Sequence, residues 1–355
     1  MARVKHIKLL FYFLTSVVLS NCKNDSISPT LPPDTIPNPR SLSWTVDTLL
    51  DRGNMMFRIW ASSPKDVYIV GVGGNNGSSE MWHFDGSKWQ EIKLHQSEGG
   101  PVIGFITISD IYGFNKNDIW AVGFHTDYNP IIDSNFTYRS LILHFNGNSW
   151  SEETQIFGGL QCIGGISSNE LWAGGWGGEI IHYNGRSWIK DTASYHFSLR
   201  QFTSFLNISA GNSSTIYALA SSDNSRYLFQ RTINVWELID SVESTNHILS
   251  KIWLSPSLIL YGCGIGVNQW TRSSWMTLHP SSNYNSFYYL FGTGDNNIFA
   301  VGHSGTVAHF NGSDWYDYPN FLKRDEYFAT GWTDGREVII LGCNNNLNTL
   351  IFHGK

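Results

Sequence analysis

Four histidines share one setting: His83, His144, His182 and His309 each stand directly before an aromatic residue. Imidazoles in such number raise the question of metal ligation or acid–base work. Their repetition argues against both. Residues at one slot of a repeat are carried by separate copies and splay apart, so they cannot converge on a single ion. His303 stands outside that series and is the better functional candidate. Cys162, Cys263 and Cys343 are scattered and odd in number, with no CxxC pair, which implies neither a disulfide framework nor a zinc site. They are expected to remain thiols. Phe57-Arg58-Ile59-Trp60 contains an arginine that could grip a carboxylate, yet periodicity places Arg58 on the flank of a strand. No nucleophile elbow, phosphate loop or HExxH is present. No cofactor and no metal is implied, and no enzyme activity is expected. The chemistry that remains is recognition by aromatic and polar side chains.

These residues are positioned by a repeat. Its clearest copy is Asn297-Ile298-Phe299-Ala300-Val301-Gly302 followed by His309-Phe310-Asn311-Gly312-Ser313-Asp314-Trp315. Leu171 to Trp188 aligns to it without a gap, and so does the stretch that sets Gly262 on Gly302 and Trp275 on Trp315. Further copies end in Asp85-Gly86-Ser87-Lys88-Trp89 and Asn146-Gly147-Asn148-Ser149-Trp150, and a degenerate one runs from Thr215 to Trp236. Each copy reads as apolar strands, then an Asn-Gly or Asp-Gly hairpin expected to be type I′, then a Trp that opens an outer strand. A period of about 40 to 50 residues with four short strands marks a propeller blade. The final copy stops at Lys355, just past its turn, whereas Leu42-Ser43-Trp44-Thr45-Val46-Asp47-Thr48 resembles the missing outer strand. The expectation is therefore all-β: a seven-bladed β-propeller over residues 42–355, its last blade closed by the N-terminal strand.

Gly302-His303-Ser304-Gly305-Thr306-Val307, with Asn311-Gly312-Ser313-Asp314-Trp315, is similar to the repeats of sialidase-like propellers that carry Asp boxes, and most of all to the photosystem assembly factors of that group. The turn is one residue shorter than an Asp box and keeps only Gly-x-x-Trp. The resemblance implies the fold. It also supplies the alternative function, a sialidase-like glycoside hydrolase, for which Phe57-Arg58-Ile59-Trp60 would stand in the opening motif without its Pro. That activity needs three arginines meeting at a carboxylate, and whether two more join Arg58 is the deciding observation.

In a blade the links between blades and the loops between second and third strands share one face, and variable loops are where propellers bind. Blade 2 has the largest such insertion, 124–140, with His125, Asp127, Tyr128 and Tyr138. Trp176 and His303 hold equivalent rim positions, and the inter-blade links add Tyr195, His196, Tyr284 and Tyr288. This aromatic, weakly charged face suits a protein or glycan partner. The opposite face of tight turns reads as structural.

The N-terminus reads as an address. Lys5 and Lys8 precede an apolar run, Leu9 to Leu19, too short to span a bilayer, which is the order of a secretory signal. Leu19-Ser20-Asn21-Cys22 resembles a bacterial lipobox, and by that resemblance Cys22 receives the lipid once residues 1–21 are removed. Lys23 in place of an Asp favours the outer membrane or cell surface of a Gram-negative bacterium. Residues 22–41 are rich in Pro and Ser and form a semi-extended tether. The membrane is met through the lipid only. With a net charge of −6 and no later run of Lys or Arg, a nucleic-acid partner is excluded, and the protein is expected to be a monomer.

Overall fold

The computed structural model describes residues 38–49, 55–73, 79–128, 136–153, 158–191, 204–212, 214–222, 225–232, 235–243, 249–281, 286–321 and 326–355. The signal segment, Cys22 and most of the tether lie outside them. The described chain forms seven four-stranded antiparallel sheets. Blade 1 spans 55–91, blade 2 105–152, blade 3 160–190, blade 4 204–243, blade 5 251–279, and blade 6 287–317. Blade 7 combines Tyr327–Thr333, Val338–Cys343 and Thr349–Gly354 with the outermost strand Trp44–Leu49. The innermost strands contact one another in succession, and the last of them meets the first, so the seven blades form a closed ring.

Closure has the expected register. Trp44 pairs with Gly354 and Leu49 with Thr349, antiparallel to the C-terminal strand. A Cβ at position 354 would lie 2.9 Å from the Trp44 ring, so glycine is what admits the indole there. Trp44 also meets Phe321 edge-on at 4.8 Å, in the link between blades 6 and 7. The last residues of the tether dock nearby. Pro39–Ser41 makes a 3-10 turn, Arg40 pairs with Asp314 at 2.9 Å, and the Tyr318 hydroxyl donates to the Pro39 carbonyl.

Each second strand is a nearly continuous apolar run because neighbouring blades cover both of its faces. Val67, Ile69 and Val70 are fully buried, as are Ile298, Phe299, Ala300 and Val301. The outer hairpins carry Gly-x-x-Trp, but not as type I′ turns. Only the glycine lies in the left-handed region, with φ of 91° at Gly86, 87° at Gly147, 81° at Gly185 and 95° at Gly312. The residue before it acts through its side chain. Asn184 Oδ1 accepts from the backbone N–H groups of Arg186 and Ser187, both at 3.0 Å, and Asp85, Asn146 and Asn311 do the same. A four-residue loop stabilised by an Asx side chain replaces the two-residue turn. In blade 5 the glycine position is held by Arg272 at φ 74°, with Thr271 in the Asn role.

Blade 5 also departs from the ungapped alignment. Cys263 pairs with Val267 as Val301 pairs with Val307, so Gly264, not Gly262, occupies the place of Gly302. Its second hairpin is shorter by two residues, which offsets the register. Cys263 and Cys343 therefore do not occupy equivalent positions. With Cys162 they are buried, unbridged, in three different blades.

The recurring histidines close the seams between blades. His83 Nε2 lies 2.7 Å from Asp66, His144 2.9 Å from Asp118, His182 2.8 Å from Glu170, and His309 3.0 Å from the Asn297 amide oxygen. Each partner heads the blade's second strand. Each imidazole lies against the aromatic ring two residues further on: Tyr68 at 4.2 Å, Trp120 at 3.8 Å, Trp172 at 4.6 Å and Phe299 at 4.6 Å. Those rings also reach the next blade; Trp120 packs 5.0 Å from Tyr183 and 5.7 Å from Trp188. Among the described residues no group of His, Cys, Asp and Glu converges to hold a metal.

Candidate functional site

The loop face is built by a pair of linked distortions that recurs in blades 1, 2, 3, 6 and 7. Six of the innermost strands carry a bulge just below this face, at Met56/Arg58, Ile108/Asp110, Leu160/Cys162, Phe205/Asn207, Phe287/Tyr289 and Phe328/Thr330. The bulge pushes backbone toward the second strand, which answers with a glycine in every bulged blade but blade 4, where Ala220 stands. A Cβ at Gly123 would meet the Thr107 carbonyl oxygen at 1.8 Å, and one at Gly302 would meet that of Ser286 at 2.1 Å. The residue after the glycine then stands on the rim in three blades, as Phe124, Trp176 and His303, whereas its counterpart Cys343 is buried.

Two aromatic clusters result. On blades 2 and 3, Trp176 packs 4.5 Å from Phe124 and 5.0 Å from Tyr138, and Phe124 meets Tyr138 edge-on at 5.5 Å. Gly159 lets the Trp176 ring lie close, since a Cβ there would come within 2.6 Å of it. Tyr138 is 46 % exposed. On blades 6 and 7, Tyr327 packs 5.3 Å from Tyr288 and 5.0 Å from His303, which is exposed. Partial desolvation by these neighbouring rings lowers the pKa of His303 although the residue is exposed, and burial, with Tyr288 adding to it, raises that of Tyr327.

Between the clusters the bulges aim polar side chains into the centre of the ring. Arg58 Nε lies 3.5 Å from Asp110 Oδ1, both side chains nearly buried. Asp110 also accepts from the Ile111 and Ile163 N–H groups, the second of which belongs to blade 3. Lys251 of blade 5 is buried, and its ammonium donates to the Leu206 carbonyl. Burial pulls its pKa down to about 8, with Arg58 adding to the effect and Asp110 opposing it. Burial raises the pKa of Asp110, against the pull of Arg58 and Lys251. A buried ion pair with backbone hydrogen bonds to its acid ties blades 1, 2 and 3 together. It does not present a free reactive group.

The expected site residues fall into three sets. Tyr138, Trp176, Tyr288 and His303 lie in the two rim clusters, Trp176 and His303 in equivalent positions as the repeat implied. His125 and Asp127 belong to the hairpin of blade 2, whose strands run on to Tyr128 and from Phe136 instead of forming an irregular loop. His125 is fully buried, with Nε2 2.6 Å from Glu152, so its side chain is not offered at the surface. Asp127 is about half exposed and pairs with Arg139 at 3.0 Å. The side chain of Tyr128, and Tyr195, His196 and Tyr284 entirely, lie outside the described residues. Phe124 and Tyr327 were missed; Phe124 follows Gly123 in the slot that singled out Trp176 and His303, so the repeat alone could have named it. The central Arg58–Asp110–Lys251 group has no local signal, because each member comes from a different blade. Arg58 pairs with an acid rather than with further arginines, while Arg231 is held by Asp191 and Arg226 by the Leu249 carbonyl.

No protein-family model matches this chain, and no curated protein matches it in sequence. Solved structures do resemble it. YCF48 bound to a D1 peptide superposes with a TM-score of 0.62 at 16 % identity, over 90 % of this chain and 97 % of that one. YCF48 from Cyanidioschyzon merolae gives 0.60 at 16 %, over 88 % and 99 %. A catalytically inactive virginiamycin B lyase from Staphylococcus aureus gives 0.62 at 12 %, over 87 % and 99 %. At these identities the likeness is one of architecture: the chain is a seven-bladed β-propeller that shares its fold with YCF48 and with proteins of quite different chemistry.

Proposed function

We propose that this protein is an exported, lipid-anchored scaffold that holds a segment of a partner protein across the loop face of its propeller. The observation that carries the reading is the pair of aromatic clusters flanking the polar centre, Phe124–Tyr138–Trp176 on one side and Tyr288–His303–Tyr327 on the other. Aromatic rings give large contact area for little conformational entropy, with polar edges for hydrogen bonds. Asp127, Arg139 and His303 add polar groups beside them. Tyr138 meets Phe124 at 85° and Trp176 at 80°, so the rings cover one another's faces instead of lying open to stack on a sugar. That favours a peptide over a glycan at this rim. The neighbour YCF48 holds a peptide, which supports the same use of the fold. Nothing at Arg58 favours the glycoside hydrolase.

Photo-crosslinking tests the reading in the full-length, membrane-bound protein. A photoreactive residue at Tyr138 or Tyr288 is expected to trap a discrete protein partner, and Trp176→Ala should reduce the adduct formed at Tyr138. The same group at Met276, exposed on the outer strand of blade 5, should trap none. Absence of protein adducts from both rim positions, or the same adducts from Met276, overturns it. The anchor has its own test: Cys22→Ser should abolish labelled palmitate incorporation and release the protein from membranes. Equal labelling of the variant refutes lipidation at Cys22.

A further inference from the structure

The seam between blades 4 and 5 lacks the histidine closure of blades 1, 2, 3 and 6, although Trp275 Nε1 donates to Asp240 across its outer edge. By strand register Thr215, Tyr217 and Gln230 of blade 4 stand where Asn297, Phe299 and His309 stand in blade 6. In blade 5 the same places fall to Ile259, Tyr261 and Gln269. An imidazole bonded to the head of the second strand is thus replaced twice by a carboxamide with nothing to reach. Among the described residues neither Gln230 nor Gln269 has a hydrogen-bond partner for its side chain. Where the closure is missing there is a cleft of about 690 Å³ on the tight-turn face, lined by Thr215, Tyr217, Gln230, Gln269, Trp270 and Arg272 among others. That volume lies within the roughly 300–1,000 Å³ of small-molecule sites.

The cleft has a second unusual feature. Arg272 sits at φ 74° in the turn position where the other Gly-x-x-Trp hairpins have glycine, and Leu258, also in the lining, has φ 62°. Left-handed backbone is unfavourable for both residues, and such strain gathers at functional sites. Here it sets Arg272 in the lining of the same cleft as Tyr217. The lining contains no carboxylate. Two carboxamides offer paired donors and acceptors to neighbouring hydroxyl groups, and a single arginine matches one carboxylate.

We propose that the cleft between blades 4 and 5 binds a sugar acid, a hydroxylated ring bearing a carboxylate, either free or at the end of a glycan. This site lies on the face opposite the rim and does not depend on it.

Calorimetric titration of the full chain with galacturonate, glucuronate and N-acetylneuraminate, each against its neutral sugar, tests the proposal. At least one acid should bind saturably and at least tenfold more tightly than its neutral counterpart. Arg272→Gly installs the turn residue of the other blades, so it should fold normally and lose that preference. The pair Thr215→Asp with Gln230→His rebuilds the closure of blades 1 and 2 and should abolish binding. Trp176→Ala should bind as the parent does, which separates this site from the rim. A trimer tighter than the monomer identifies a glycan end, and equal affinity a free sugar acid. No saturable binding of any of the three acids overturns the proposal, as does binding that survives both cleft variants or is lost in Trp176→Ala.

Discussion

The seam between blades 3 and 4 and the next one along, between blades 4 and 5, are built from the same meander and share an acid that accepts from the outer-strand Trp of the following blade, yet only the first is filled. In the first, Asp191 Oδ2 accepts from Trp172 Nε1 at 3.0 Å, Arg231 Nε at 3.1 Å and Trp236 Nε1 at 3.0 Å. Arg231 takes the place held in blade 6 by Phe310 and lies 4.9 Å from the centre of the Trp172 ring, so charge and aromatic surface are satisfied together. In the second, Trp275 Nε1 donates to Asp240 at 2.8 Å as Trp236 does to Asp191, but among the described residues no arginine and no second indole joins that carboxylate, the two glutamines have no side-chain partner, and a cleft opens on the tight-turn face. The difference teaches that a propeller seam is sealed by a few side chains at fixed register positions, and that substituting them opens a site without disturbing the strands.

The comparison can be broken most severely at Asp191. Asp191→Ala leaves a buried guanidinium and two indole N–H groups without their acceptor, and should cost about 3–5 kcal/mol in denaturant unfolding. A loss below about 1 kcal/mol would mean that the carboxylate does not hold this seam. The seam between blades 6 and 7 is reinforced by the strand Trp44–Leu49 that completes blade 7. Trp44→Ala removes the ring that packs on Phe321 and should cost about 3 kcal/mol. A melt that coincides with the parent's would separate Trp44 from closure. The smallest effect lies within the histidine closures. Blade 6 uses neutral Asn297 where blades 1 and 2 use Asp, and burial, with the charge of Arg40 adding, lowers the His309 pKa to about 4. A histidine whose folded pKa is lowered contributes stability that is fully present above the unfolded value of about 6.5 and is lost as pH falls toward 4. Asn297→Asp gives the imidazolium a partner and should flatten that loss in melts between pH 7 and 4. An unchanged slope would place the acid sensitivity elsewhere.

The strand pattern, the blade count and the closure by Trp44 were legible because they rest on local signals that recur along the chain. Apolar runs, the Asn-Gly or Asp-Gly turn and the following Trp occur in each of several copies, so one degenerate blade could be read through its neighbours. The turn type was misread for a physical reason: Asn-Gly fits both a two-residue turn and a longer loop in which the Asn side chain caps the backbone, and only the pairing of the flanking strands distinguishes them. The register of blade 5 slipped because a hairpin shorter by two residues leaves the side-chain alternation intact. A period of two cannot report a shift of two.

What the sequence determined by itself was the set of positions, since a repeat assigns equivalent residues to equivalent places before any contact is known. It placed Trp176 and His303 on one rim and set the recurring histidines apart. Tertiary structure alone decided which positions meet. Phe124 joins Trp176 across a blade boundary, Arg58 of blade 1 finds Asp110 of blade 2, and His125 turns inward to Glu152 instead of outward to a ligand. Those encounters depend on how tightly the ring closes and on which way each bulge turns its side chain. Both are properties of the assembled ring, absent from any single copy of the repeat.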